Sequence, residues 1–179
     1  MKIQQQNSPD LKSLSDLIKD IPICMLTHQD DEGKLVSKPM TPIEMTSDGV
    51  LWFLTNIQQV HLNQLSVSNV CFTDFTKGSY ISISGAGSIS INQARIDELW
   101  SPAGRPWFPD GPMSEDIAIL KFTPSSAEYW DGPHNRILRT FALIASVIAR
   151  KPVGMGDHNK ITELSQPPPK LDLASDSHF

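Results

Sequence analysis

The sequence predicts a mainly β protein, an antiparallel barrel with helices at its periphery, and three observations support this. About six or seven short segments rich in β-branched and aromatic residues alternate with turn residues. Helix-like segments lie mostly between and after these strands, without the strand–helix alternation of a parallel sheet. The chain also has no GxGxxG motif, which excludes the commonest dinucleotide-binding fingerprint.

Length and composition are those of a globular protein with one core. The chain has 179 residues, of which 39% are hydrophobic and 20% are charged. Its net charge of −5, without a basic stripe, argues against nucleic acid as a partner. No apolar run approaches the length of about 20 residues that crosses a membrane, and the first residues form no hydrophobic signal segment. We therefore expect a cytoplasmic protein that does not enter membranes.

Cys24 and Cys71 both lie in apolar, strand-like segments. A disulfide is rare in a cytosolic chain, and the sequence has no CxxC motif and no Cys/His spacing typical of a metal site. We therefore expect two reduced thiols that act as small hydrophobic residues, and no metal site.

The N-terminal part predicts one helix and one strand. Residues 1–7 are polar and are expected to fray. Residues 8–10, Ser-Pro-Asp, have the order of an N-cap, a first-turn proline and an acid at the positive end of the helix dipole. Apolar residues then follow at helical spacing up to Pro22, which ends the helix. A strand is predicted at 23–27.

Residues 35–56 predict a hairpin, because two β-prone runs flank the turn sequence Ser-Asp-Gly at 47–49. Pro39 and Pro42 lack a backbone N–H, so the first run is expected to lie at a sheet edge or to be broken. Lys38 projects from this otherwise mostly apolar strand. It either meets an anion or is a solvated cation that keeps the edge from aggregating. The second run is apolar on both faces and predicts a buried strand.

The rest of the chain is predicted to add a short helix at 59–67, four strands, two further helices and a long loop. Gly85 and Gly87, within one strand, indicate a bulge or a close backbone approach. Residues 101–115 contain four prolines and two glycines and predict a loop, whose Trp107 and Phe108 either cover a ligand or plug the barrel end. The predicted elements are strands at 70–75, 80–91, 117–122 and 127–130, a short helix from Asn92 to near Trp100, a helix at 135–150 and an extended tail at 151–179.

Several short pieces of the chain follow one another in a recognisable order. They are SKPM at 37–40, LWFLT at 51–55, YISISG at 80–85, ELW at 98–100, WFP at 107–109, AEYWD at 127–131, KP at 151–152 and GDH at 156–158. In order and spacing they resemble the FMN-binding split-barrel flavoproteins related to pyridoxamine-phosphate oxidase, and within these the general stress protein branch. The resemblance covers residues 10–165.

The resemblance implies a six-stranded split barrel at residues 8–150, followed by an extended tail at 151–179. It also implies a homodimer, with FMN in a groove at the interface of the two chains. The strand with Lys38 would run beside the flavin, the segment after Thr55 would hold the phosphate, and Trp107 would reach the flavin from the partner subunit. The residues that the resemblance assigns to the cofactor are Lys38, Pro39, Met40, Phe53, Leu54, Thr55, Gln59, His61, Tyr80 and Trp107.

The chain departs from the family pattern at the phosphate. The family usually has Arg at the position of Lys38, and Ser-x-Lys at the positions of Gln59, Val60 and His61. Lysine keeps the positive charge but lacks the forked geometry of a guanidinium, while Gln59 can still donate through its amide. His61 is a phosphate ligand in this interpretation and an ordinary surface histidine otherwise.

For activity, the resemblance implies an oxidoreductase in which FMN carries the electrons, and no side chain stands out as a nucleophile or general base. Two alternatives stay open. One is a non-enzymatic flavin-binding stress protein, and the other is a split-barrel dimer whose cofactor site is weakened by the changes at the phosphate. Trp52, Trp100 and Trp130 are expected in the core or at the interface between subunits.

Overall fold

The structure, a computed structural model, describes residues 1–59, 65–131 and 157–162. Its helices in these ranges are α1 (Pro9–Ile18) and α2 (Gln93–Leu99), and short 3₁₀ turns lie at Ile57–Gln59, Pro102–Gly104 and Gly111–Met113. The strands are β1 (Lys2–Ile3), β2 (Cys24–Gln29), β3 (Leu35–Met40), β4 (Glu44–Met45), β5 (Leu51–Asn56), β6 (Ser68–Asp74), β7 (Ser79–Ser90), β8 (Ile117–Asp131) and β9 (Asp157–Thr162).

All these strands belong to one sheet in the order β1-β4-β5-β8-β7-β6-β2-β3, with β9 added to β8. Every pairing is antiparallel except that of β1 with β4. The longer strands β2, β3, β5, β6, β7 and β8 surround the core, and no described strand joins β3 back to β5. The predicted fold class, a mainly β, six-stranded antiparallel split barrel with peripheral helices, is confirmed.

The core fills the barrel, and α1 packs against it. Ser8 caps this helix, because its Oγ accepts a hydrogen bond from the Leu11 N–H at 3.2 Å. The predicted helical spacing buries Leu11, Leu14 and Ile18. The same apolar cluster contains the barrel residues Leu26, Met45, Leu51, Phe53, Val70, Phe72, Ile81, Ile83, Leu120 and Phe122.

The first residues form part of the sheet, so the predicted fraying is wrong. The Lys2 N–H donates to the Ile43 oxygen at 2.8 Å, and the Gln4 N–H donates to the Met45 oxygen at 3.0 Å. The Gln4 side chain also donates to the buried carboxylate of Glu44 at 2.8 Å. Polar composition misled the prediction, because these polar groups find their partners on β4, far along the chain.

The predicted hairpin at 35–56 is partly wrong. The turn at 47–49 forms, with Gly49 at a φ of 85°, but it joins only the short β4 to β5. β3 pairs with β2 instead and is an edge strand within the described residues. This edge position is the one that Pro39 predicted, and Pro42 lies between β3 and β4, where the strand is interrupted.

Gly85 and Gly87 mark the predicted bulge and close approach, and both are confirmed. The register of β7 and β8 shifts between Ser84 and Gly85. A Cβ on Gly85 would lie 2.3 Å from the backbone oxygen of Thr123, and one on Gly87 would lie 3.0 Å from the Leu65 Cβ. The first distance excludes any side chain, and the second leaves little room for one.

A second apolar cluster lies on the outer side of β5 and β8, where α2 packs. Ile96 of α2 is buried in it together with Phe108, whose ring lies edge-on to Trp100 with centroids 6.4 Å apart. Phe108 is thus part of this core, whereas Trp107 beside it is 68% exposed. Trp52 and Trp100 pack against the same cluster, as expected for core positions.

Parts of the C-terminal predictions lie outside the described residues. The helix at 135–150 and most of the tail at 151–179 are among them, and the domain boundary at residue 150 stays a prediction. Within the predicted tail, β9 pairs antiparallel with β8, so this stretch adds a strand to the sheet. None of the helices in the described ranges is long and apolar enough to cross a membrane.

Candidate functional site

Lys38 is a cation on the core-facing side of the edge strand β3. In the pairing with β2 it lies directly opposite Leu26, and directly opposite residues of an antiparallel pair share one face. Leu26 is fully buried, and Met40, two residues after Lys38 on the same face, is buried as well. The side chain of Lys38 therefore extends along the interior face of the barrel wall.

The ammonium group of Lys38 is buried without a hydrogen bond. Its Nζ is out of contact with solvent and has no hydrogen-bond partner within the described residues. Burial disfavours the charged form and lowers the pKa of Lys38 below its usual value. Because an unpaired buried cation is unfavourable, this position suits an anionic group supplied by a ligand. A fully solvated edge lysine would not have this geometry.

Several strand ends meet at one end of the barrel. His28, near the end of β2, lies opposite Val36 of β3 and Ser68 of β6. β5 runs in the same direction as β2, because four antiparallel pairings separate the two strands. The backbone oxygen of Leu65, which precedes β6, accepts a hydrogen bond from the Ser68 hydroxyl at 2.8 Å.

We name this region the polar end and define it by Lys38, His28 and Ser68. The last two are buried polar residues, whereas apolar side chains fill the barrel interior. The His28 ring donates through Nδ1 to the Gln29 backbone oxygen at 2.8 Å. Since a buried polar group needs a partner, the Lys38 Nζ, which has none within the described residues, makes this region the candidate binding site.

His28 and Ser68 are not among the residues assigned to the site from the sequence. Both occupy positions that alternate with buried apolar residues along their strands, His28 after Leu26 and Ser68 before Val70. Because side chains two positions apart share a face, this alternation places both on the core-facing side. The signal that could have found them is a polar residue at an inward position of a predicted strand.

The β5 residues assigned to the cofactor offer backbone groups rather than side chains. Phe53 is fully buried in the barrel, and Leu54 packs against the second cluster. β4 bonds β5 only near its start, where the Ile43 N–H donates to the Trp52 oxygen at 2.8 Å. Alternate residues direct their backbone groups to the same side. Those of Leu54 therefore point past the end of β4, where no described strand pairs with them.

Two of the assigned residues lie away from Lys38 within one chain. Pro39 is opposite Met25, and Tyr80 is opposite Thr73, and both are exposed on the outer face of the sheet. This is the face that Lys38 does not share, because adjacent residues of a strand point to opposite sides. The exposed Trp107, in the loop after α2, is likewise outside the barrel interior.

The other assigned residues lie in or near the barrel. Met40 belongs to the barrel core, and Thr55, which is buried, continues the inward positions of β5. Gln59 is the last residue of the 3₁₀ turn that follows β5. His61 falls outside the described residues, so its assignment stays a prediction.

A separate polar cluster joins the N-terminal segment, β4 and α2. Glu44 is 3% exposed and accepts hydrogen bonds from Gln4 at 2.8 Å and from Arg95 at 2.5 Å, with Lys2 Nζ at 3.7 Å. Burial alone would raise the pKa of Glu44, but these hydrogen bonds and the charges of Arg95 and Lys2 hold it below its usual value. Arg95 also lies 4.6 Å from the centroid of the Trp52 ring. Because Glu44 already has protein partners, we interpret this cluster as structural.

The described residues give no sign of metal or disulfide chemistry. Within them, no group of three or more His, Cys, Asp or Glu side chains could hold a metal ion. Cys24 and Cys71 are both free thiols, but only Cys24 is buried as a small hydrophobic residue. Cys71 is half-buried, and its Sγ donates to the Asn69 Oδ1 at 2.9 Å. Burial raises the pKa of Cys24 to about 12, so this thiol stays neutral at physiological pH.

Comparison with known proteins identifies the family. A sequence model described as "Pyridoxamine 5'-phosphate oxidase like" matches residues 9–153, most of the chain. The protein bli-3 of Neurospora crassa is 25% identical over 169 residues, which cover 87% of this chain and 79% of that protein.

Solved structures share the fold. A putative general stress protein 26 from Jannaschia sp. CCS1 superposes with a TM-score of 0.63 at 24% identity, covering 87% of this chain and 99% of that one. The general stress FMN/FAD binding protein of Xanthomonas citri superposes with a TM-score of 0.57 at 23% identity, covering 69% and 90%. With the sequence match, which spans the barrel from α1 through β8, these likenesses lead to one conclusion: the chain belongs to the pyridoxamine 5'-phosphate oxidase-like family.

Proposed function

We propose that this protein binds FMN at the polar end of the barrel and acts as a flavin-dependent oxidoreductase of the general stress protein type. The observation that carries the proposal is the buried Nζ of Lys38, which lacks a partner within the described residues. A phosphate group supplies the charge-assisted hydrogen bond that this ammonium needs. The Xanthomonas citri relative is described as an FMN/FAD binding protein, which supports a flavin as the ligand.

In this proposal the residues of one chain divide the work of binding. Lys38 meets the phosphate, and Gln59 and His61 approach it from the connection that leaves β5. The backbone groups of Leu54, which pair with no described strand on the side of β4, meet the flavin ring, and Met40 forms part of the apolar wall. FMN supplies the electron transfer when it is bound, while the protein supplies binding, orientation and charge.

We further propose that two copies of the chain pair through the outer face of the sheet. Met25, Tyr80 and Trp130 on this face are 40%, 44% and 42% exposed. Large apolar side chains that stay exposed together mark an interaction surface. Two rows of residues cross the face from β3 to β8, namely Pro39, Met25, Cys71, Ser82 and Glu128, and beside them Ser37, Thr27, Asn69, Ser84 and Ser126.

The outer face is poor in charge, which favours self-association. In the two rows, the charged residue Glu128 pairs with Lys160 of β9 at 2.7 Å. Many of the remaining residues are small and polar, and the hydroxyls of Thr27 and Ser37 lie 2.8 Å apart. The central parts of protein interfaces are likewise depleted of charged residues.

The grounds for the dimer differ from those that the sequence offered. Trp52 and Trp100, which were expected in the core or at an interface, are partly buried against the second apolar cluster of one chain. The outer face instead carries Pro39 and Tyr80, which lie away from Lys38 within one chain. The proposed pairing therefore explains why the assigned cofactor residues divide between two faces of the sheet.

The proposal places the protein in the cytoplasm, with a small molecule as its redox substrate. Both cysteines are free thiols, and reduced thiols persist in a reducing compartment. The proposal includes no membrane and no nucleic acid partner, in keeping with the net charge of −5.

A spectrum of the purified protein after incubation with FMN tests the function. We expect flavin absorbance that stays with the protein on desalting, and flavin fluorescence that rises when the protein is denatured. Bleaching of the absorbance by NADH or NADPH separates an oxidoreductase from a flavin-binding protein without activity. A folded protein that retains no flavin would overturn the proposal.

A further inference from the structure

We infer that His28 is a second residue that binds the phosphate of the cofactor, through its Nε2 atom. The inference rests on the proposed function and adds a residue that the sequence analysis did not assign. Three features of His28 carry it: its position in the sheet, its burial and the hydrogen bond of its Nδ1 atom.

His28 is a diagonal neighbour of Lys38 across β2 and β3. Lys38 lies opposite Leu26, and His28 follows Leu26 by two residues, so all three side chains lie on the core-facing side. Diagonal neighbours of an antiparallel pair are about 7–8 Å apart. One phosphate group between the two side chains would accept a charge-assisted hydrogen bond from each.

The His28 ring is buried, and the chain fixes which nitrogen carries its proton. The residue is 6% exposed, and its Nδ1 lies 2.8 Å from the Gln29 backbone oxygen. A carbonyl oxygen can only accept, so Nδ1 carries the proton and Nε2 is left for a ligand. Ser68, opposite His28 on β6, gives its one hydroxyl proton to the Leu65 oxygen.

The state of Nε2 gives the inference a measurable signature. With Nδ1–H engaged, the neutral imidazole holds a lone pair on Nε2, which cannot donate to a phosphate oxygen. The imidazolium form donates Nε2–H to that oxygen, and the phosphate charge favours this form. Phosphate binding therefore takes up a proton at His28, whereas riboflavin, which lacks the phosphate, binds without this uptake.

The neighbouring titratable groups can be separated from His28. Lys38 on β3 has a pKa lowered by burial and is also favoured in its charged form by phosphate. Cys24, on the same face of β2, has a pKa raised to about 12 and stays neutral. On β6 the facing residues are Ser68 and Val70, which do not titrate. His61, in the connection after β5, requires its own variant.

Isothermal titration calorimetry of the whole chain tests the inference. FMN and riboflavin are titrated at pH 8, where the free phosphate is already a dianion, in two buffers of different ionisation enthalpy. The wild type is compared with His28→Gln, His61→Gln and Lys38→Met. We expect more proton uptake when FMN binds than when riboflavin binds. His28→Gln should remove the share of this additional uptake that His28 contributes. The same variant should lower the preference for FMN over riboflavin about 10-fold, while its riboflavin affinity stays unchanged.

The outcomes separate this inference from the proposed function. If His28→Gln keeps both the wild-type preference for FMN and the full proton uptake, the inference fails and the proposed function stands. A wild type that binds neither flavin overturns both. If His28→Gln does not fold, the wild type decides alone, because equal proton uptake with FMN and riboflavin contradicts a titrating phosphate ligand at this position.

Discussion

Lys38 and Leu26 lie directly opposite each other in the pairing of β2 and β3, on the face of the sheet that carries the core. Leu26 is fully buried, and the Lys38 ammonium beside it lacks a hydrogen-bond partner within the described residues. The ammonium group of Lys38 thus occupies a buried position at which an apolar group would be more favourable for folding. This arrangement is unfavourable for the protein alone and favourable for the complex with an anion.

The first prediction is that Lys38→Met acts on folding and on binding in opposite directions. It should stabilise the cofactor-free protein by about 1 kcal/mol, because it removes a buried unpaired charge but keeps the apolar stem. It should also weaken FMN by about 10- to 100-fold. Thermal unfolding and FMN titration measure the two effects. Lys34→Met, which removes an exposed lysine on the same hairpin, is the control and should change neither.

The pH dependence of that first effect follows from the lowered pKa of Lys38. At pH values below this lowered pKa, Lys38 is charged in the folded protein and its full destabilising effect on the free energy of unfolding is present. This destabilisation disappears as pH rises toward the unfolded-state pKa of about 10.4. The stability difference between wild type and Lys38→Met should therefore shrink at alkaline pH. A difference that stays constant from pH 7 to 10.5 would mean that Lys38 is not a desolvated cation.

The second prediction concerns the buried carboxylate of Glu44. Glu44→Gln should destabilise the protein by about 2 kcal/mol at pH 7, because the Arg95 guanidinium loses its charged partner. The pKa of Glu44 is held below its usual value. Its contribution is therefore present above the unfolded-state pKa of about 4.3 and is lost as pH falls through the folded-state pKa. Denaturant unfolding at pH 7 and pH 3 should show the gap to the wild type narrowing at the lower pH.

A matched control exists for Glu44 in the same cluster. Glu98 pairs with the same Arg95 at 2.8 Å, but its side chain is 65% exposed. Glu98→Gln should therefore change stability by less than about 0.5 kcal/mol. If Glu44→Gln and Glu98→Gln lower the free energy of unfolding equally, burial of Glu44 does not account for the strength of its ion pair with Arg95.

The third prediction is that Gly85→Ala is severely destabilising. The new Cβ would lie 2.3 Å from the Thr123 backbone oxygen, and a strand backbone cannot move aside as a flexible side chain can. We expect a loss of about 2–3 kcal/mol or more, measured by denaturant unfolding. Gly104→Ala, which meets the outer edge of the Trp100 ring instead of backbone, serves as the comparison and should cost less.

The fourth prediction tests the proposed dimer face. Met25→Asp places a charge in the middle of the outer face without entering the core, because Met25 is 40% exposed. The variant should sediment as a monomer, whereas the wild type should sediment as a dimer at micromolar concentration. Ile91→Asp, at another exposed apolar position beyond the end of β7, should leave the dimer intact. A dimeric Met25→Asp variant would assign the interface to another surface.

Local patterns predicted most of the elements but not how they meet. The cap at Ser8, the helix up to Ile18, the edge position of β3 and the glycine pair in β7 were all readable, because each depends on residues close together in sequence. The pairing of β3 with β2 was not, since turn chemistry at Gly49 specifies a hairpin but not the length of its arms.

The candidate site shows the same limit. Lys38 could be found from its odd place among apolar neighbours, but its burial could not, because that depends on Leu26 in another strand. His28 and Ser68 could be placed at inward positions by the alternation along their strands, but not opposite each other, because that depends on the register of β2 and β6. Long-range register, which one sequence does not reveal, decides the composition of the polar end.

The bulge in β8 has a consequence for how the length of this chain can vary. Before the bulge, Leu120 and Phe122 face the core, and after it Ala127 and Tyr129 do, so the extra residue exchanges odd and even positions. Deleting Ser125 would turn every later side chain of β8 to the opposite side. Insertions and deletions should therefore be tolerated in the loop at 101–115 and selected against between Thr123 and Ser126. The number of residues in this part of β8 is thus as constrained as their identity.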